Sequence, residues 1–484
     1  MDTKLYDKIS TWFDEHREQM TADIMRLVRF PSVSQPQEGE APFGEACRDC
    51  LEEMLALGRE HGFYTENYEN YVGSIGEQKK DWKNMIGFWN HLDVVPAGNH
   101  WQYEPFSPVR KEHFLIGRGA QDNKGPAVGM LYVMKCLREL EIPMKHQLCL
   151  FVGCDEERGM EDLAYYTDHY PTPWLSMIAD SGFPVCYGEK GIVEGNLKST
   201  KPLSLSVLEL KGGNASNMIP DAAYAVLRRT ALLELALKSE AAKFPSITVE
   251  VKKETFRVNA TGESRHSAFP DGSRNAIYEL MRFLASLTPL PAEDRALFGR
   301  LAYLSEEYYG EHIGIAGNDE VSGRTTCAAT VLTLEEGLIS LHFNIRYAIS
   351  TDRSKMQACI EQTAGQNGMC WELERDSAPN YFPKEHPAVK LLTDLYNDIT
   401  GEQTESFVMG GGTYARKLPQ AFAYGVGNMK ESEEDRRVRK ELFAPGHGGA
   451  HEPDEGLNLR LLTEALKIYA MAMVAMNDVP SDAG

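Results

Sequence analysis

Much is scarce or missing in this chain of 484 residues. Its nine cysteines (47, 50, 136, 149, 154, 186, 327, 359 and 370) are an odd number, thinly spread. They do not form the dense framework that small secreted domains need. The longest membrane-like run, Ile468 to Met476, has nine residues, far short of the ~20 that a spanning helix requires. The opening MDTKLYDKISTWFDEH has no apolar stretch of signal-peptide length. Positive charge is short as well. Lys and Arg number 50 against 71 Asp and Glu, a formal net charge of −21, which argues against nucleic-acid or anionic-membrane partners. With 41 glycines and 24 prolines, collagen-like and low-complexity classes drop out. A reduced, cytoplasmic, soluble protein is expected.

Familiar catalytic signatures are missing too. There is no GxxxxGK[ST] phosphate loop, no GxSxG elbow and no HExxH zinc helix, and Gly410–Gly411–Gly412 does not fit GxGxxG. A nucleotide enzyme, a serine hydrolase and a helix-type zinc protease therefore have no support.

What is present is size and pattern. A chain this long buries a large core without staples, and its length suggests two or three domains. The N-terminus reads as a helix to about Phe30, stopping at Pro31. Met85–Val95, Leu148–Cys154 and Ser176–Ala179 read as buried strands, and Gly125–Leu140 as a helix striped by Val128, Leu131, Met134 and Leu137. Alternation of strand and helix points to a largely parallel α/β sheet. After Gly191 the pattern changes. Strand-like runs at Leu203–Leu210, Ile247–Val251 and Thr330–Tyr347 lie among helices at Asn275–Leu287 and Arg353–Gln362, an α+β arrangement. The α/β pattern resumes after Pro383, with helices near Pro387–Ile399 and Leu457–Met476. The expected architecture is an α/β domain of residues 1–191 and 384–484, its mixed, mostly parallel sheet flanked by helices, with an inserted α+β domain of residues 192–383.

Candidate chemistry gathers at strand and helix ends. His91 and Asp93 close the strand WNHLDVV and point to one face, at the edge where α/β sheets place their sites. Imidazole is a good zinc ligand, and a nearby carboxylate commonly fixes its tautomer. Taken alone, the pair is also an ordinary strand end. Asp122 in RGAQDNKGP could be an N-cap, or a carboxylate bridging two cations. Glu156-Glu157 follows a buried strand. Acidic neighbours are common in so acidic a chain, but here one carboxylate could bind metal while the other moves a proton. Asp180 in MIADSG sits at a further strand end, or merely starts a turn. Cys47-x-x-Cys50 reads as part of a plain helix. The charged run from Lys430 to Glu441 reads as a solvated loop.

The order of these blocks carries a resemblance. HLD, WxxxPFxP, GRGAQDNKGP, DEE and AD, in that sequence, resemble the co-catalytic zinc metallopeptidases that include aminoacylases, carboxypeptidases and dipeptidases. HLDVVPAGNHWQYEPFSPV, YGEKGI, NMIPDAA, NIRY and GGGTYAR are similar to the peptidase V-type dipeptidases. The likeness spans about residues 15 to 476. It implies a zinc-peptidase-like catalytic domain whose insertion is a lid.

By that resemblance, His91 and Asp180 hold one metal, Glu157 and His451 the other, and Asp122 bridges them through a cis Asp122–Asn123 peptide. Two divalent ions are implied, zinc first, with manganese or cobalt admitted by the same ligands. Glu156 is the general base acting on a metal-bound hydroxide, and Asp93 orients His91. His447, four residues before His451, competes for the last ligand position. Asn217, His266 and Arg346 match substrate-gripping positions. His266 is suited to an oxyanion and Arg346 to a terminal carboxylate, which Gly411, Gly412 and Thr413 could also approach. Here the histidine block reads RHSAFP rather than AHxSxP. The implied activity is dipeptide hydrolysis. N-acyl-amino-acid deacylation or carboxypeptidase action is the alternative within the family, and an inactive peptide-binding relative the alternative outside it. A small peptide is the expected partner. The long insertion suits a monomer, with a homodimer left open.

Overall fold

The computed structural model describes residues 2–481. The chain forms two compact units. One takes in Met1–Gly188, Tyr381–Val408 and Gly412–Gly484; the other takes in Glu189–Asn380 and Met409–Gly411.

The main sheet of the first unit has parallel strands at its centre. Met85–His91 lies between Gln147–Gly153 and Leu175–Ile178, parallel to both, and Ala421–Tyr424 extends the parallel set beyond Leu175–Ile178. Antiparallel strands flank this set: Val72–Gly76 and then Tyr64–Tyr68 on one side, Val185–Glu189 on the other. All seven residues of Met85–His91 are buried, as a central parallel strand requires, because helices cover both of its faces. One face packs under the helices Thr3–Val28, Glu45–Glu60, Gly125–Glu139 and Leu459–Met476, through Ile24, Leu27, Met54, Val128, Leu131 and Leu466. On another part of the sheet Trp89 stacks on Phe151 at 4.3 Å, and Tyr166 of the helix Glu161–His169 meets both rings edge-on. Local sequence sets the helix starts. Pro126 lies in the first turn of Gly125–Glu139, where its missing N–H costs nothing. Asn458 caps Leu459–Met476 by accepting from the N–H groups of Arg460 and Leu461.

Parallel strands put their C-terminal ends at one edge. His91 is the last residue of its strand, Asp155-Glu156-Glu157 follow the next, and Asp180 follows the third. A smaller sheet, in which Gly456–Asn458 pairs with Phe114–Ile116 and the latter with Val109–Lys111, brings the chain after His451 beside the chain before Asp122.

The second unit holds an eight-stranded sheet, antiparallel throughout: Ile247–Val251, Thr255–Thr261, Ala222–Arg228, Val207–Gly212, Thr326–Glu335, Leu338–Tyr347, Gly191–Ser199 and Met369–Ser377. Thr255–Thr261 alternates buried and part-exposed residues, the signature of a sheet with one covered face. Phe256, Val258, Leu280, Leu284, Phe298 and Leu301 share its core with the helices Ala276–Ser286 and Ala292–Ser305. Among the described residues no helix is long and apolar enough to cross a membrane.

One expectation is corrected. The run from Lys430 to Glu441 is not a solvated loop: Glu433–Leu442 is a helix. Ser432 and Asp435 form a reciprocal capping box at its start, and Val438 is its buried anchor.

Candidate active site

Six side chains from the first unit converge at the carboxyl edge of the parallel strands. Nε2 of His91 lies 3.0 Å from Asp122 Oδ1 and 3.5 Å from Asp180 Oδ2. Nε2 of His451 lies 3.2 Å from the other oxygen of Asp122, Oδ2, and 3.0 Å from Glu157 Oε1. The two oxygens of Asp122 therefore face two different imidazoles, each of which also meets a further carboxylate. The possible ligand atoms of His91, Asp122 and Glu157 lie within 4.8 Å of one another, as do those of His91, Glu156 and Asp180. Asp122 caps no helix, and the Asp122–Asn123 peptide is cis.

His447 is elsewhere. Its Nδ1 is 2.6 Å from Asp454 Oδ2, while His451, with φ 64° in the left-handed region, faces Asp122 and Glu157. Non-glycine residues held in this region gather at functional sites.

Asp93 does more than the sequence suggests. Nδ1 of His91 sits 3.1 Å from the Asp93 carbonyl oxygen and 3.4 Å from its carboxylate. That carboxylate accepts the backbone N–H groups of Glu156 and Glu157 at 3.1 and 3.0 Å. Asp162 accepts the two preceding ones, from Cys154 and Asp155, together with the hydroxyl of Tyr414. Four consecutive N–H groups of the Cys154–Glu157 turn thus end on two buried carboxyls. Gly153 leaves room for this, since a Cβ there would sit 2.2 Å from the Tyr414 hydroxyl and 2.3 Å from Asp162.

So many acids in one buried place need a counter-charge. Burial pushes Glu156 well up, with Asp180, Glu157 and Asp122 adding to the rise. Burial likewise lifts Glu157 to about 7 and raises Asp180. Against burial, His451 and His91 hold Asp122 below the carboxylate range. Asp122 and Glu157 lift His451 to about 11. Two imidazoles among four carboxyls are the donor set of a borderline divalent cation. Asp122, with one oxygen toward each histidine, has the form of a shared ligand. The residues fit a pair of metal ions.

Asn123 completes the surroundings, donating to Asp180 Oδ1 at 2.8 Å and to the Ala179 carbonyl at 3.0 Å. Asp122 and Asp180 also line a cavity of about 580 Å3, together with Asn428, Glu431, Arg436 and Arg439. Cys47 and Cys50 are buried in the helix Glu45–Glu60, and burial raises both thiols. They take no part in the site.

The second unit gathers its own polar cluster. The Ala268 N–H donates to Nδ1 of His266 at 3.1 Å, which leaves the proton of a neutral ring on Nε2. Burial and the charge of Arg346 lower the His266 pKa. Asn217 accepts from the Ser267 N–H through its carbonyl. Asn344 Oδ1 accepts from both Ser267 Oγ at 2.9 Å and Arg346 Nε at 2.8 Å, and Arg346 donates to the Gly410 carbonyl at 3.4 Å. Asn217, His266, Arg346 and the Met409–Gly411 segment thus belong to one unit. Gly412 and Thr413 belong to the other, where Thr413 accepts from the Ala415 N–H and caps a short helix.

The model of peptidase family M20/M25/M40 matches residues 87–475. The chain belongs to that family. Family M20/M25/M40 members are metal-dependent hydrolases, and this chain is a metallopeptidase. Its relatives include a Staphylococcus epidermidis protein named "Putative dipeptidase", 28% identical over 96% of this chain and 98% of that one. Another is "Putative dipeptidase YtjP" of Bacillus subtilis, 28% identical over 94% and 97%. Among solved structures, the di-peptidase Dug1p of Saccharomyces cerevisiae aligns with a TM-score of 0.59 at 13% identity, covering 98% of this chain and 99% of that one. Human carnosine dipeptidase 1 aligns at 0.58 and 14%, with the same coverage. These establish a shared M20-type fold, with a catalytic domain and a lid domain.

Sequence reasoning passed over Asp162, Tyr414, Arg118, Asp454 and Glu455. Each is a buried polar group with at least one partner far away in sequence. The one available signal was the run of three acids, broken by Pro453, in EPDE directly after His451.

Proposed function

We propose that this metallopeptidase is a dipeptidase, hydrolysing the single peptide bond of short peptides. His91 and Asp180 would hold one cation, His451 and Glu157 a second, with Asp122 shared between them. Zinc is the proposed metal, with manganese or cobalt as alternatives. Such a pair supplies Lewis acidity to the scissile carbonyl and makes a water a better nucleophile near neutral pH. Glu156 is the proposed base. Buried and raised in pKa, it is suited to take a proton from the attacking water and return it to the leaving amine. Asp93 positions Glu156 and Glu157 through their backbone N–H groups, and His91 through its carbonyl. His266 is the proposed donor to the developing oxyanion, through Nε2–H. Arg346 is the proposed partner of the substrate's carboxylate, with Asn217, Gly411, Gly412 and Thr413 as further substrate contacts.

The observation that carries this reading is the division of Asp122, one oxygen toward each histidine. The dipeptidase names of full-length relatives support the choice of substrate. The test is hydrolysis of an L-dipeptide, a tripeptide and an N-acetyl amino acid by protein stripped with chelator and refilled with Zn or Mn. Metal-dependent cleavage of the dipeptide, with little on the others, is expected. Preference for the acetylated substrate would move the function to deacylation.

A further inference from the structure

Three residues after His451 the chain carries two adjacent acids, Asp454 and Glu455, both with no exposed surface. They hold different things. Asp454 accepts the N–H groups of Gln102 and Tyr103 at 2.8 and 3.0 Å, and faces His447. Glu455 reaches the loop that carries Asp122. Its Oε1 accepts the N–H of Gln121 at 2.8 Å and the N–H of Asp122 itself at 3.0 Å. Its Oε2 accepts the N–H of Gly119 at 2.9 Å and Nη1 of Arg118 at 2.8 Å.

We infer that Glu455 is a positioning residue for Asp122: its carboxylate fixes the backbone from which the shared ligand projects between the two histidines. The inference rests on the reading of Asp122 as a ligand common to two cations. A carboxylate has about four acceptor directions, and here each oxygen takes two donors. It is buried with Arg118, which is 1% exposed; Nε of the guanidinium has no partner, but the carboxylate itself is fully used, and four donors hold its geometry. Arg118 extends the link by donating to the His451 carbonyl at 3.5 Å and to the Ala97 carbonyl at 3.4 Å, its guanidinium 5.1 Å from the Trp101 ring centre. The backbone closes the other side. The Gly117 N–H donates to the Glu455 carbonyl at 2.9 Å, and the strand Gly456–Asn458 pairs with Phe114–Ile116. One side chain thereby ties the segment bearing His451 to the loop bearing Asp122. Partners behind a metal ligand commonly govern its affinity.

Asp454 provides the control, since it is equally buried but its hydrogen bonds go to Gln102, Tyr103 and His447 rather than to the Asp122 loop. The experiment titrates chelator-stripped full-length protein with Mn2+ by calorimetry, and records the visible spectrum after Co2+ loading. Glu455→Gln is expected to bind Mn2+ roughly 10–100-fold more weakly than the unaltered protein, with a changed Co2+ spectrum. Asp454→Asn should lower Tm but keep both cations and the original spectrum. Unchanged Mn2+ affinity in Glu455→Gln, or equal weakening in both variants, overturns the inference. If Glu455→Gln does not fold, Arg118→Lys carries the same comparison, because it keeps the charge and loses the forked geometry. Asp122→Asn separates the two readings. Two cations held at undiminished affinity without the Asp122 carboxylate would remove the shared-ligand premise, whereas hydrolysis assays on the unaltered protein test the dipeptidase reading independently of either result.

Discussion

In the first unit, four carboxyls and two imidazoles crowd into a buried place; in the second, an arginine and a neutral histidine share a cluster with amide oxygens and a single carboxylate, that of Glu194, 3.9 Å from Arg346. The contrast shows how burial selects chemistry. Carboxyls gathered out of water repel one another and favour either protons or metal ions, and the raised positions of Glu156, Glu157 and Asp180 register that pressure. Arg346 and His266 work the other way. The guanidinium keeps its charge, and together with burial it holds the histidine neutral. The proposed roles follow the same division: the first cluster suits cations, and the second suits N–H donation to an anion.

If the first cluster does the chemistry, its one acid with no histidine partner is the place to break it. Glu156→Ala should retain two metal ions per chain by elemental analysis while kcat falls by roughly 10^2–10^4-fold. Full activity in that variant would remove Glu156 as the base. A tenfold loss with one metal missing would make it a ligand instead, as its closeness to His91 and Asp180 permits.

The two histidines near the C-terminus sharpen the same comparison. His451→Ala removes the imidazole facing Asp122 and Glu157, so bound metal should fall from two ions toward one, with most of the activity. His447→Ala leaves both ions in place but strands the buried carboxyl of Asp454, at a cost of about 1–3 kcal/mol read as a lower Tm. Metal loss in the second variant rather than the first would exchange the two assignments.

The second cluster should respond differently. Arg346→Ala is expected to raise KM for a dipeptide by roughly 10–100-fold, the worth of a charge-assisted hydrogen bond of about 1.5–3 kcal/mol, with metal content unchanged. An unaltered KM would remove the carboxylate contact.

What could be read from sequence divides along the same physical line. His91, Glu156, Glu157 and Asp180 are legible because each ends a buried strand, and strand ends are visible in local apolar runs. The choice of His451 over His447 is not local, since both lie in one glycine-rich segment near Asp454, and only the distant partners of His451, Glu157 and Asp122, separate them. Glu455 is less legible still, because the N–H groups it accepts lie more than 330 positions earlier in the chain. The helix Glu433–Leu442 hid for another reason. Val438 and Leu442 are its only aliphatic residues, so no apolar stripe announces it, and the Ser432–Asp435 capping box was its one local signal.

The smallest expected effect lies beneath Arg346. Asn344 has no exposed surface, and its single amide oxygen takes both Ser267 Oγ and Arg346 Nε. It thereby orients the arginine and ties it to the residue after His266. An amide does this without a charge. Asn344→Asp keeps the shape and both hydrogen bonds, but sets a full negative charge 2.8 Å from Nε, where it competes with any anion Arg346 is meant to receive. KM for a dipeptide should rise by roughly three- to tenfold, less than in Arg346→Ala, because the fork stays in place. The closer carboxylate should also raise the His266 pKa toward its ordinary value, moving the acid limb of the kcat/KM profile to higher pH. That shift, measured beside the change in KM, tells an electrostatic role for Asn344 from simple packing, since Asn344→Leu would disturb the packing and leave no added charge.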